Sequence, residues 1–353
     1  MIMKKNIKSA TYVTSYITCV GIASIILFTS LGFAPGRSKP VIKNGYYYND
    51  TYDNRNHLLD GPAIFYEMAK NSASYGSCDA AKWYVKTVPA PHTQKPCITW
   101  IGHASFLIQI GGYNILTDPV FENLPLFKRK SPAGLTPEII PAIDFVVISH
   151  NHRDHTNLPS LQKIKDDHNP LFLIPEGTKK LFTKNGITNV IEKTWWQKEI
   201  TTKNNRQITI TFLPAYHWSG VGLFDTRMSL WGSWMIECNG HTLYFAGDSA
   251  YAPHFKEIAT QFPSIDVALL PIAPGTPRNQ TKHSHMDTQE AVQAFLDLNA
   301  KTFIPMHWGT FRLGPDPFDY PITILNNCWE QQSQQLQNKE LAILKFGGQW
   351  AAS

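Results

Sequence analysis

No CxxC pair occurs among the five cysteines, Cys19, Cys78, Cys97, Cys238 and Cys328, which argues against a cysteine-ligated zinc site. Cys19 lies in an apolar leader. Of the four in the body, Cys78 and Cys97 can bridge if the body is exported. Charge is also scarce. Charged residues make up 17% of the chain and hydrophobic ones 43%, a balance that excludes a disordered protein. The formal net charge is +5, but Lys4, Lys5 and Lys8 supply three of those charges. The remaining 29 basic residues face 27 acidic ones, a surplus of two, which gives no case for nucleic-acid binding. The one basic cluster, Lys128-Arg129-Lys130, reads as a solvated loop. No internal repeat or low-complexity tract is visible.

What is present divides into three parts. Met1–Ala34 contains no acid; its lysines precede a weakly polar run, Ala10–Ser30, about long enough to span a bilayer, which takes ~20 residues. This fits an export signal, with Gly32 and Ala34 suiting cleavage after Ala34, or an uncleaved membrane anchor. In either case the lysines stay in the cytoplasm and the body enters or crosses the membrane, as in a bacterial inner membrane or periplasm. Residues 35–95, rich in Tyr, Asn, Pro and Ser, read as a linker and partly helical preamble, with a helix over Pro62–Lys70. Residues 96–353 read as one α/β catalytic domain. Strands are expected at Ile98–Ile101, Phe106–Ile110, Asn114–Leu116, Phe145–Ile148, Leu171–Ile174, Ile208–Leu213, Leu230–Glu237, Thr242–Ala246, Val267–Leu270, Phe303–Pro305 and Ala342–Phe346. Gly111-Gly112 signals a hairpin. Helices are expected at Leu158–Lys165, Thr178–Asn185, Pro253–Gln261 and Thr288–Leu298. Two sheets with helices on their outer faces fit this alternation.

The strongest chemical signal follows the apolar run Phe145–Ile148. Ser149-His150-Asn151-His152-Arg153-Asp154-His155 places four metal-ligand side chains within six residues at a strand end. Imidazole and carboxylate together suit zinc and other first-row metals. His217, Asp248 and His307 each follow another apolar strand, so one sheet edge can gather all seven.

This order of motifs resembles the metallo-β-lactamase superfamily. Within it the chain is similar to the N-acylphosphatidylethanolamine-hydrolysing phospholipase D family. The matching segments include Thr99–Ala104, Leu116–Pro119, Ser149–His155, Trp195-Trp196, Leu230–Trp234, Phe245–Asp248, His285–Asp287 and Ile304–Thr310. The resemblance spans about residues 97–330 and leaves out the leader. It implies an αβ/βα sandwich and two zinc ions, one on His150, His152 and His217, the other on Asp154, His155 and His307, with Asp248 bridging. Arg153 departs from the aromatic residue of the mammalian enzymes.

The resemblance further implies hydrolysis of N-acylphosphatidylethanolamine to N-acylethanolamine and phosphatidic acid. Two zinc ions sharing a water lower its pKa towards ~7. Asp154, Asp248 and His285 form the expected catalytic set. His285 contacts the substrate phosphate or protonates the leaving group, and Asp287 caps the following helix. His103 and Asp118 read as outer supports of the ligands. His254 and His283 read as surface residues. Trp218 and Phe224, in the apolar loop Trp218–Phe224, are candidates for acyl-chain contact, and Lys128–Lys130 for anionic headgroups. A phospholipid substrate and the membrane are the expected partners, without nucleic acid, and a homodimer is allowed. A hydrolase of a soluble lactone, ester or phosphodiester is the alternative on the same fold, and a non-catalytic membrane-anchored binding protein is a third reading.

Overall fold

The computed structural model describes residues 37–49, 66, 70, 80–125, 127–222 and 224–353. The leader, Cys78 and all but two residues of the Pro62–Lys70 helix lie outside the described residues, and Cys97, which could bridge to Cys78 in an exported body, is a free cysteine. Among the described residues, no helix is long and apolar enough to cross a membrane.

A short hairpin, β1 (Val41–Lys43) and β2 (Tyr46–Tyr48), precedes the main body. The first large sheet contains β3 (Cys97–Gly102), β4 (Ser105–Ile110), β5 (Tyr113–Thr117), β6 (Phe145–Val147), β7 (Leu171–Pro175) and β8 (Val190–Lys193). The second contains β9 (Lys198–Lys203), β10 (Arg206–Leu213), β11 (Ser233–Cys238), β12 (His241–Phe245), β13 (Val267–Pro271), β14 (Thr302–Met306) and β15 (Glu340–Leu341). β16 (Gln349–Ala351) returns to the first sheet, whose order is β16-β3-β4-β5-β6-β7-β8; the second runs β15-β14-β13-β12-β11-β10-β9. The helices are α1 (Leu158–His168), α2 (Lys179–Lys184), α3 (His254–Gln261), α4 (Arg278–Thr281), α5 (Thr288–Leu298) and α6 (Tyr320–Gln331).

Local chemistry fixes these elements. Gly111 and Gly112 turn β4 into β5 with φ of 59° and 86°, the doubly positive pair that a two-residue hairpin needs. Asn157 caps α1 by accepting from Ser160 N–H, and Asp287 and Glu290 form a reciprocal capping box on α5. Successive strand residues point to opposite faces. Phe106, Ile108 and Ile110 of β4 therefore enter the core between the sheets, with Ile210, Phe212 and Trp234. Leu107 points the other way, to Leu161 and Ile164 of α1 and Phe182 of α2. On the second sheet, Phe295 of α5 stacks on Phe303 of β14, and Trp329 of α6 lies against both rings. The result is the expected αβ/βα sandwich.

Most expected strands appear with ends shifted by a few residues. Leu230–Glu237 begins late, at Ser233, because Leu230 N–H and Gly232 N–H donate instead to Glu176 O and Ser149 O. Ala342–Phe346 is not a strand. This stretch crosses between the sheets: β15 pairs with β14, β16 pairs with β3, and Leu344 and Phe346 are buried between them. Sequence reading missed the short β1, β2, β8, β16 and α4, the polar β9, and α6.

Candidate metal centre

Strands β5, β6 and β7 run parallel, and so do β12, β13 and β14; β10 points the same way as β12 because β11 reverses between them. Their carboxyl ends therefore meet at one edge of the sandwich. The loop after β6 is wound tight by His155 N–H and Thr156 N–H, which donate to His152 O at 3.0 and 2.7 Å. His150, His152, Asp154 and His155 consequently converge. His217 arrives from β10, Asp248 from β12 and His307 from β14. Gly247 lets Asp248 approach: its φ is 58°, and a Cβ there would lie 2.4 Å from Ser149 Cβ.

The inward atoms form two groups. His152 Nδ1 lies 2.8 Å from His150 Nε2 and 3.2 Å from His217 Nε2. His155 Nε2 lies 3.4 Å from His307 Nε2 and 3.6 Å from Asp154 Oδ2. Asp248 stands between the groups, with Oδ2 3.2 Å from His155 Nε2 and 3.8 Å from His217 Nε2, and Oδ1 3.1 Å from His307 Nε2. The structure thus brings all seven expected ligand residues together.

A layer of acceptors fixes the imidazoles. Asp118 Oδ2 meets His155 Nδ1 at 2.7 Å, and Ser149 donates to Asp118 through both N–H and Oγ–H, at 2.7 and 2.5 Å. Ser149 Oγ in turn lies 2.9 Å from His150 Nδ1. The carbonyls of Ser284 and Ala273 lie 2.7 and 2.8 Å from Nδ1 of His217 and His307. A neutral ring whose outer nitrogen is protonated and donating directs a bare lone pair inward. His103 Nε2 lies 3.0 Å from Asp154 Oδ2. Asp118 and His103 thus each contact a candidate ligand, and each also lies in a group of side chains close enough to hold a metal ion: Asp118 with His150 and His155, His103 with Asp154, His155 and His307. Sequence reading missed the two carbonyls, Ser149 as the link to His150, and Thr310, whose Oγ1 accepts from His103 N–H at 2.6 Å.

Electrostatics agree with a cation site. Burial pushes the imidazole pKa of His152 down to about 4 and those of His103 and His217 to about 3, with His150 also well below its ordinary value. These rings are neutral at neutral pH, the form that binds metal. His155 is the exception. Burial opposes its charge, yet the carboxylates of Asp248 and Asp154, with the Asp118 bond, hold its pKa well above the ordinary value. Burial would raise Asp248, but His155 and His307 keep it well below the carboxylate range. Converging lone pairs and buried carboxylates that draw positive charge fit metal ions.

The residues expected around the substrate are spread more widely. His285 Nδ1 lies 3.7 Å from Asp248 Oδ2 without a hydrogen-bond partner, and burial lowers its pKa to about 3. The Trp218 ring is 4.1 Å from that of His152. Phe224 is 90% exposed. Two expectations are corrected. His254 is buried, not a surface residue: its Nε2 lies 3.2 Å from Ser249 Oγ and its ring stacks on Tyr216. Arg129 turns inward from the Lys128–Lys130 cluster, donating to the carbonyls of Val120, Ser131 and Ile101, so only the two lysines face solvent.

Comparison with known proteins agrees with this geometry. Residues 113–308 match the family model described as a beta-lactamase superfamily domain. The chain is 36% identical over 231 residues to a mitochondrial N-acyl-phosphatidylethanolamine-hydrolyzing phospholipase D of Saccharomyces cerevisiae, covering 63% of this chain and 49% of that one. It thus spans about half the length of that relative. It is 30% identical over 269 residues to N-acyl-phosphatidylethanolamine-hydrolyzing phospholipase D 1 of Caenorhabditis elegans, covering 72% and 75%. The fold is similar to that of Igni18, a metallo hydrolase from Ignicoccus hospitalis, with a TM-score of 0.57 and 23% identity over 74% of this chain and 99% of that one. The chain belongs to the beta-lactamase superfamily.

Proposed function

We propose that the chain hydrolyses N-acylphosphatidylethanolamine to N-acylethanolamine and phosphatidic acid, using two zinc ions. The observation that carries this reading is the position of Asp248 between two groups of inward-facing ligand atoms. His150, His152 and His217 would hold one ion, Asp154, His155 and His307 the other, and Asp248 would bridge. When bound, such a pair lowers the pKa of water and neutralises charge on a phosphoryl oxygen. The relatives named for this reaction support the choice of substrate.

The protein's own groups then have defined tasks. Asp118, Ser284 O and Ala273 O keep the imidazole lone pairs aimed inward. His285, neutral at neutral pH, offers a hydrogen bond to a phosphate oxygen. Trp218 and Phe224 offer apolar surface to the acyl chains. The oxygen of water bonds to phosphorus, the bond from phosphorus to the ethanolamine oxygen breaks, and that oxygen leaves with a proton. The basic start and apolar run of residues 1–34 support delivery of the catalytic domain, residues 96–353, to a membrane or beyond it.

Hydrolysis of N-acylphosphatidylethanolamine in isotopically labelled water, followed by mass spectrometry, tests the proposal. The label is expected in phosphatidic acid. Label found only in N-acylethanolamine, or no turnover by zinc-loaded protein, would overturn it.

A further inference from the structure

A cavity of about 310 Å³ opens where the loop bearing His150–His155 runs into α1. Leu124 and Pro125, Leu158 and Pro159 of α1, Leu181 of α2, and Val221 after His217 give it mainly apolar walls, with Asn123, Thr156 and Asn157 as polar breaks in them. These walls are anchored. Leu124 packs with Val120 and Phe311, and Leu181 packs on the helix layer of the first sheet. Val221 N–H donates to the Asp225 carboxylate, and the adjacent Gly220 N–H to Asn151 Oδ1 at 2.7 Å. The space falls at the lower end of the range that holds small ligands, roughly 300–1,000 Å³.

Arg153 also lines the cavity, and it sits between His152 and Asp154 in the chain. Its exposed side chain donates from Nε to Val221 O at 3.1 Å. That bond leaves both terminal guanidinium nitrogens for an anion, the fork geometry that suits phosphate oxygens. A mainly apolar hollow with the Arg153 cation in its lining, on the same loop as four of the candidate metal ligands, fits a molecule that joins an anionic group to a hydrocarbon chain.

From this we infer that the cavity is the acyl-chain subsite of the enzyme and that Arg153 pairs with the phosphate of the same substrate. The inference rests on the reading of the substrate as a phospholipid. Arg153 is then a specificity residue, selecting anionic chain-bearing substrates over neutral esters.

Binding of alkyl phosphates to the metal-loaded full chain tests the subsite apart from turnover. Calorimetry with methyl, butyl and octyl phosphate, below micelle-forming concentrations, reads the affinity for each chain. A fully buried methylene contributes about fourfold. Octyl phosphate is therefore expected to bind at least ~10-fold more tightly than methyl phosphate, even with the chain only partly enclosed. Leu181→Trp, which fills the hollow, should bring the octyl-to-methyl ratio close to one. Arg153→Ala should weaken octyl phosphate about tenfold, with Arg153→Lys recovering part of the loss. Equal affinities for methyl and octyl phosphate would overturn the inference and leave the hollow to a protein segment, such as one from a second copy. A chain-length gain that survives Leu181→Trp would overturn it too. A clear gain without hydrolysis of N-acylphosphatidylethanolamine keeps the subsite and rejects the proposed reaction; hydrolysis without the gain does the reverse.

Discussion

His155 and Asp118 meet at 2.7 Å, Nδ1 to Oδ2, with both side chains wholly out of solvent. Asp118 also accepts from Ser149 N–H and Oγ–H, so one carboxylate orients His155 directly and His150 through Ser149. Asp118→Asn keeps the shape but removes the charge and one acceptor. Such outer partners are worth 10–100-fold in metal affinity. A loss of about that size is expected in chelator competition, and unchanged affinity would refute the role.

Metal content tests the ligand set itself. The purified protein should carry two zinc ions per chain. His150→Ala and Asp248→Ala should each carry fewer, because each removes a donor from a buried cluster. Elemental analysis showing full content in both variants would sink the assignment.

His285 is expected to act as a hydrogen-bond donor to phosphate. Removing one such donor from a reacting site costs about 10²–10³ in kcat. His285→Ala should lose activity on that scale with its zinc retained, and His285→Gln, which keeps a donor, should recover part of it. Steady-state kinetics with parallel metal analysis distinguishes this from loss of the centre.

Stability should fall in acid partly through His254. Burial lowers its folded pKa to about 3, whereas the unfolded value is near 6.5. The unfolded chain therefore binds more protons between these values. The stabilisation is fully present above about pH 6.5 and is lost as pH falls towards about 3, by at most ~1.4 kcal/mol per pH unit. His254→Gln keeps a donor for Ser249 and should flatten this slope. The metal ligands titrate in both proteins, so the difference in their denaturation midpoints from pH 7 to pH 4 isolates His254. Parallel curves would refute the assignment.

Phe224 should matter on lipid surfaces. It is 90% exposed, and burying a phenylalanine side chain is worth ~1.5–3 kcal/mol. Phe224→Ser should weaken sedimentation with phospholipid vesicles about tenfold or more. Equal sedimentation of both proteins would remove Phe224 from the lipid contact.

The clustered histidines and carboxylates are legible because strand-end placement and side-chain type coincide: each of His150, His217, Asp248 and His307 follows an apolar run. The supports were legible only where they are side chains. Asp118 and His103 stand out in sequence, whereas Ser284 O and Ala273 O are backbone groups with no residue signature. His254 and Arg129 were misplaced because polarity suggests solvent, and the fold gave each a buried partner instead: Ser249 Oγ for one, three carbonyls for the other. α6 was hidden by the polar Asn326-Asn327 within it and Pro321 at its start, although proline is well tolerated in the first helical turn. β9 escaped because it is a half-exposed edge strand with little apolar alternation.

The crossing of residues 340–351 from one sheet to the other has a consequence for assembly. Gln349 pairs with Thr99, 250 positions earlier, so the β3 edge gains its neighbour only after nearly the whole domain has been synthesised. Until then the nascent chain carries an open, largely apolar strand, Cys97–Gly102, of the kind that templates pairing with other molecules. Pairings this distant form slowly. Residues 340–351 thus act as a closing latch, and the open β3 edge is most prone to pair with other molecules in the interval before they dock.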